Sequence, residues 1–399
     1  MNPTDDATRT IGFAGLQALV DAFRDDDMRV YAPVERDGAV VVRPIGSVDE
    51  LPVGVGTDHG PGRGRLTHGD GRSRFGWAVG PQTWKPLLHP AEIPTMEFSQ
   101  DGRTSPVTVR RTAAADPVQP RAVLFGVRPC DLAAIGVLDR VLLEAPESPE
   151  PVYLARRDVV VVVVDCNTPA ATCFCASMGT GPHASDGRAA YDLRLNELPP
   201  AAGDETADPD YVISAGSATG RELVGRLDRQ GWDARSASPS DLGRVADARA
   251  GAEASMTRSV DAAAIRTAAV AGGIDLWSDV AERCVACGNC TAVCPTCFCT
   301  SIDDVGDLSG SVVTRHRRWA SCFELEYSRV GSAPVRSSHA ARYRQWFTHK
   351  FSTWHDQFGT SGCVGCGRCI SWCPVGIDVT AEAERLVART GAAPGGGAP

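Results

Sequence analysis

Cys284-Val-Ala-Cys287-Gly-Asn-Cys290-Thr-Ala-Val-Cys294-Pro295 and, further on, Cys363-Val-Gly-Cys366-Gly-Arg-Cys369-Ile-Ser-Trp-Cys373-Pro374 follow one pattern, C-x2-C-x2-C-x3-C-P. Such a thiolate run holds [4Fe–4S] cubanes. Three closely spaced cysteines wrap three corners of one cube. The next turn and the proline carry the fourth away, toward the other cube. The pattern therefore predicts cluster I on Cys284, Cys287, Cys290 and Cys373, and cluster II on Cys363, Cys366, Cys369 and Cys294, with iron as the metal. A single run of this kind also fits zinc or inert buried cysteine; two copies with proline in register speak against both.

The bulk of the chain agrees with a redox protein. Its 399 residues suffice for two or three domains with real cores. Hydrophobic content of 43% and charged content of 22% read as globular. A net charge of −9 argues against nucleic acid as a partner. Fifteen cysteines point to metal ligation rather than disulfides. The polar start, Met1-Asn-Pro-Thr-Asp-Asp, has no apolar signal region behind it, and the longest apolar run, Val159 to Val164, is too short to span a bilayer. A cytoplasmic location is expected. Lysine occurs only twice, at Lys85 and Lys350, which reads as coding bias toward arginine.

Near the N-terminus, Phe13, Leu16, Leu19, Val20 and Phe23 recur at helical spacing over Ile11 to Arg24. Two short strands, Arg29–Ala32 and Ala39–Pro44, flank the turn Glu35-Arg-Asp-Gly38. Thr57 to Arg74 is rich in glycine and charge. Its His59-Gly-Pro-Gly-Arg-Gly-Arg lacks the order of a phosphate loop and is expected to be an exposed loop. No dinucleotide fingerprint occurs.

Residues 122–182 carry a second set of thiols. Ala122–Val127 reads as a buried strand, Asp131 as a helix N-cap, Leu132–Leu143 as a helix, and Val159–Val164 as a strand covered on both faces. This β-α-β unit makes the two strands parallel, with a right-handed crossover. Cys130 and Cys166 then fall just past the carboxyl ends of their strands, on the edge where open α/β sheets bind ligands. Cys173 and Cys175 follow in the next loop. The four thiols are candidates for a third cluster, with Asp131 or Asp165 as substitutes for one of them; inert core cysteine is the alternative.

The remaining segments are plainer. Tyr211–Ser214 and Arg221–Leu227 suggest a further strand and helix, and Asp241 to Ala271 reads as helical. Ile274–Arg283 reads as the helix that delivers the first cysteine run. The insert between the runs, Pro295 to Gly362, reads as helical pieces. From Arg315 to Lys350 it holds eight arginines or lysines and only two acids, Glu324 and Glu326, a patch fit to shield anionic clusters, to dock a partner or simply to meet water. Cys297, Cys299 and Cys322 are expected to pack near the cubanes, and His316, His339, His349 and His355 show no metal-site spacing. The expected fold class is an α/β domain over 1–275 followed by an α-helical dicluster ferredoxin domain over 276–385, with a disordered tail over 386–399.

Taken together, Arg128-Pro-Cys-Asp131, Asp165-Cys166, Cys173-Phe-Cys-Ala-Ser-Met-Gly-Thr-Gly-Pro182, Cys294-Pro-Thr-Cys-Phe-Cys299, Arg342-Tyr-Arg-Gln-Trp-Phe-Thr-His-Lys350 and the two cysteine runs resemble the iron–sulfur beta subunit of sulfhydrogenases, the bidirectional NAD(P)-linked nickel–iron hydrogenases. The iron–sulfur chain of anaerobic sulfite or sulfur reductases is similar, with the same layout. The resemblance implies an electron-transfer role. The partners would be a flavin subunit that carries FAD and handles NAD(P)H, and the small and large nickel–iron hydrogenase subunits, or else sulfite reductase subunits. The chain's own residues agree, for they offer no flavin or nicotinamide fingerprint, no nickel-site cysteine pairs and no nucleophile motif. A purely structural iron–sulfur binding module is the reading from another class.

Overall fold

Five valines in a row, Val160–Val164, form a central strand of an eight-stranded sheet, and all five are buried. Val161 and Val163 pack on one face with Leu124, Ile135 and Leu138, while Val160, Val162 and Val164 pack on the other with Leu16, Leu19 and Phe23. Each such side chain taken from water contributes about 1.5–3 kcal/mol. A strand covered on both faces has no polar side to alternate with, which is why the run is uniform.

The computed structural model describes residues 8–69, 71–102, 104–112, 121–144, 147, 150–184, 190–198, 207–230, 232 and 234–392. The sheet runs in the order Ala234–Ser236, Arg9–Ile11, Asp210–Ala215, Leu193–Leu198, Val160–Val164, Ala122–Val127, Arg29–Arg36, Ala39–Pro44. The Ala122–Val127 strand pairs parallel with both Arg29–Arg36 and Val160–Val164, and the latter pairs parallel with Leu193–Leu198. The outer pairings are antiparallel. Helix Pro129–Asp139 connects the two central strands, so Cys130 sits in its first turn and Cys166 just beyond the Val160–Val164 strand. Asp131 is not the N-cap; that position is Arg128, and Pro129 opens the helix where a missing N–H costs nothing.

The insert between the cysteine runs corrects the expectation of an all-helical domain. Thr300–Gly306 and Val312–Trp319 form an antiparallel hairpin, and the second strand pairs with Glu92–Ser99, which pairs in turn with Thr108–Arg111. Helices enter only afterwards, at His339–Thr348 and Trp354–Phe358, joined by a π-helical turn at His349–Thr353. These helices, with Ala262–Ala271, Ser278–Arg283 and Val379–Thr390, enclose a core of Trp277, Tyr343, Trp346, Phe347, Ile370 and Leu386.

Three smaller expectations also change. Residues 55–68 are a hairpin, Val55–Gly60 with Arg63–His68, and His59 in it is buried. The segment 241–271 is two helices, Pro239–Ala254 and Ala262–Ala271. Helix Val379–Thr390 occupies the start of the expected tail; residues 393–399 lie outside the described residues, as do Met1 to Ala7. Among the described residues no helix is long and apolar enough to cross a membrane.

Candidate iron–sulfur centres

Both cysteine runs turn the chain in the same way. Two residues after the first cysteine, Ala286 (φ 50°) and Gly365 (φ 63°) take left-handed backbone, and two residues later Gly288 (φ 77°) and Gly367 (φ 73°) do so again. Each pair of reversals points backbone N–H groups inward. Ala286 N–H donates to Cys284 Sγ at 3.4 Å and Gly365 N–H to Cys363 Sγ at 3.4 Å. Ile377 N–H donates to Cys373 Sγ at 3.3 Å. Such bonds favour charged sulfur and tune the potential of a metal bound to it.

One cavity is lined by Cys284, Cys287, Cys290 and Cys373, with Cys369 also on its wall. A neighbouring cavity is lined by Cys294, Cys363, Cys366 and Cys369, with Cys290 also on its wall. Each cavity thus has three cysteines of one run and the last cysteine of the other, and Cys290, Cys369 and Trp346 border both. The rest of the walls are largely apolar: Phe323, Tyr343, Ile377 and Val379 in the first, Phe174, Phe351 and Val379 in the second. The donor set suits iron–sulfur groups, since among the described residues eight cysteine sulfurs and no carboxylate line the two spaces. Among the described residues no three of His, Cys, Asp or Glu converge on a single ion.

Burial governs the free thiols. It pushes Cys363 up to about 12, and raises Cys366, Cys369 and Cys290. These groups hold their protons until a cation displaces them. Cys294 goes the other way, lowered first by a hydrogen bond from Cys297 and further by the Lys350 ammonium. The exposed member of the set is Cys287, on the lip of the first cavity beside Val285 and Val375.

The second run is clamped to the α/β part of the molecule. Arg368 donates to both carboxylate oxygens of Asp131, at 2.7 and 2.8 Å, and to the Gly80 carbonyl at 2.9 Å. Phe174 N–H donates to the Gly365 carbonyl at 2.8 Å, Thr180 Oγ1 to the Val364 carbonyl at 2.7 Å, and Thr172 Oγ1 meets Ser371 Oγ at 2.9 Å. The Cys173-Phe174-Cys175 loop therefore lies directly on the second run. Cys130, Cys173 and Cys175 are buried there, 4–6% exposed, and Cys173 Sγ donates to the Cys366 carbonyl at 3.7 Å. Cys166 lies close enough to raise the pKa of both Cys173 and Cys175. The four thiols are thus neighbours. The two carboxylates considered as substitutes are engaged elsewhere: Asp131 by Arg368, and Asp165 by Arg194 at 2.7 Å and Arg249 at 3.1 Å.

Cys297, Cys299 and Cys322 lie beside the same centres. Cys297 lies close enough to lower the pKa of Cys294, and Cys322 close enough to raise that of Cys290. Four of the eight cations of the Arg315–Lys350 stretch are spent on carboxylates: Arg315 on Asp304, Arg317 on Glu150, Arg318 on Asp303 and Arg329 on Glu326. Sequence reasoning missed both lysines. Lys85 and Lys350 are buried next to Cys294 and Cys297, and their rarity in the chain was the available signal.

Comparison with known proteins agrees with this geometry. Residues 283–377 match the family model described as a 4Fe-4S dicluster domain. The sulfhydrogenase 2 subunit beta of Pyrococcus furiosus is 33% identical over 258 residues, which are 64% of this chain and 71% of that protein. The chain belongs to the family of sulfhydrogenase beta subunits.

Proposed function

We propose that the chain is an electron relay with two [4Fe–4S] clusters, working between a flavin subunit that handles NAD(P)H and a nickel–iron hydrogenase module. Cys284, Cys287, Cys290 and Cys373 hold cluster I; Cys294, Cys363, Cys366 and Cys369 hold cluster II. The observation that carries the reading is the pair of adjoining cavities, each bordered by three cysteines of one run and the last of the other. When bound, such clusters take up and release one electron each.

The chain's own residues do the rest. Apolar walls keep water from the second cavity, and inward N–H groups offset the charge on sulfur. Cys290 and Cys369 on the common boundary keep the two sites within one short step. The lip at Val285, Cys287 and Val375 opens the first site to a docked redox partner. Cys130, Cys166, Cys173 and Cys175 form a third cluster site on the same reading, at the edge of the parallel sheet.

Iron analysis of anaerobically purified protein tests the count: about eight irons support two clusters and about twelve support three. Zinc with little iron would overturn the reading. Co-purification with a flavoprotein and nickel–iron subunits, together with hydrogen-dependent NAD(P)H turnover, supports the hydrogenase assignment. Sulfite-dependent turnover in its place assigns the chain to a sulfite reductase.

A further inference from the structure

The two lysines of the chain, Lys85 and Lys350, are both buried, 3% and 5% exposed. A buried ammonium is costly unless an anion faces it. Among the described residues neither lysine pairs with a carboxylate. Lys85 Nζ donates to the Cys297 carbonyl at 3.0 Å; Lys350 Nζ donates to Thr296 Oγ1 at 2.9 Å and to the Gly362 carbonyl at 3.1 Å. Thr296 Oγ1 is in turn 3.2 Å from Cys294 Sγ. The sulfur that Lys350 reaches is that of Cys294, through Thr296.

Two further observations single out Lys350. It stands in the π-helical turn His349–Thr353, a widening of the helix of the kind that recurs at functional sites. It also lines the second cavity with Arg368, whereas among the described residues the first cavity has no cation on its wall. The charge of Arg368 is met by Asp131, so of the two cations on this wall Lys350 is the one left to act on the cluster.

We propose that Lys350, through its contact with Thr296 and Cys294, raises the reduction potential of cluster II above that of cluster I, so that the buried site is where an electron comes to rest. The proposal rests on the two-cluster reading. Reduction adds one negative charge to a group that is already anionic. A fixed positive charge beside its ligand sulfurs, in a site of low dielectric, favours the reduced state over the oxidised one. Electron passage from cluster I to cluster II then oxidises the first and reduces the second by one electron. Solvent exposure of Cys287 at the lip of the first cavity favours reduction of cluster I and works against this ordering. Lys350 is a tuning residue and touches no reacting substrate.

Anaerobic redox titration of the full-length protein, followed by electron paramagnetic resonance, tests it. In the wild type two separate midpoints are expected. Lys350→Met should lower the upper one by at least a factor of ten in the reduction constant, about 59 mV for a one-electron couple, and leave the lower one in place. Lys350→Arg, which keeps the charge, should restore it. Wild-type clusters that titrate together, or an upper midpoint unmoved in Lys350→Met at full iron content, overturn the proposal and leave the two-cluster reading standing. A wild type without about eight irons overturns that reading first, and this one with it. If Lys350→Met does not hold cluster II, Thr296→Ala decides: a fall in the upper midpoint supports the proposal and an unchanged one overturns it.

Discussion

Arg368 and Asp131 face each other with two hydrogen bonds, 2.7 and 2.8 Å, and both side chains are buried. Arg368 lies between two cysteines of the second run, and Asp131 directly follows Cys130. The pair thus helps tie the second cysteine run to the edge of the parallel sheet. Removing one partner of a buried pair leaves an uncompensated charge and costs about 3–5 kcal/mol. Asp131→Ala is expected to lower the melting temperature sharply and to lose iron from cluster II before cluster I. Calorimetry and Mössbauer spectroscopy of the same sample check both halves.

Equivalent turn positions of the two runs should differ in tolerance. Ala286 shows that the first left-handed turn of the run accepts a Cβ. At Gly365, however, a Cβ would meet Cys175 Cα at 2.7 Å, and at Gly367 it would meet the Thr172 carbonyl oxygen at 2.3 Å. Gly367→Ala combines that clash with a φ of 73°. It should cost at least the roughly 1–3 kcal/mol of a strained backbone residue and displace the Cys173–Cys175 loop. Chemical denaturation and iron content of the variant are the readouts.

Exchange of the fourth cysteines separates crossed from uncrossed ligation. Cys373→Ser should damage the cluster held by Cys284, Cys287 and Cys290, and Cys294→Ser the cluster held by Cys363, Cys366 and Cys369. Paramagnetic resonance of the two reduced variants distinguishes the signals. If each serine instead damages the cluster of its own run, the crossed assignment is wrong.

Iron-free protein should respond to alkali. Burial raises the folded-state pKa of Cys363 to about 12, and those of Cys290, Cys366 and Cys369 also lie above the ordinary value. A raised folded-state pKa means the fold favours the protonated thiol. That stabilisation is complete below the unfolded thiol pKa of about 8.5 and is lost as pH climbs from there toward the folded value. The iron-free protein should therefore melt progressively lower above about pH 8.5, with a steeper slope than the loaded protein, whose ligand thiols carry no protons to lose. Melting curves of both forms across that range check it.

The parts of the molecule legible in the sequence are those where the pattern is local. The cysteine runs, the all-valine strand and the Phe13–Phe23 stripe each report their own structure within a few residues. The Val312–Trp319 strand was not legible, because what makes it a strand is pairing with Glu92–Ser99, far away in sequence. Its arginines look like a surface charge patch until Asp303, Asp304 and Glu150 are brought beside them. The hairpin at 55–68 hid behind glycine and charge, since Arg63 and Arg65 do lie outside while His59 turns in against Trp372, 5.1 Å between ring centres. The surroundings of Lys350 were likewise not local: its rarity marks it in the sequence, but Thr296 and Gly362 meet it only in space.

The sheet shared by Glu92–Ser99 and Val312–Trp319 has one practical result. The cysteine runs are not a cassette. An excised piece beginning near residue 276 would carry Val312–Trp319 with its outer row of amides and carbonyls bare, a template for another chain. Whoever trims this protein to a minimal ferredoxin must bring the 92–111 ribbon along, or expect aggregate in the tube.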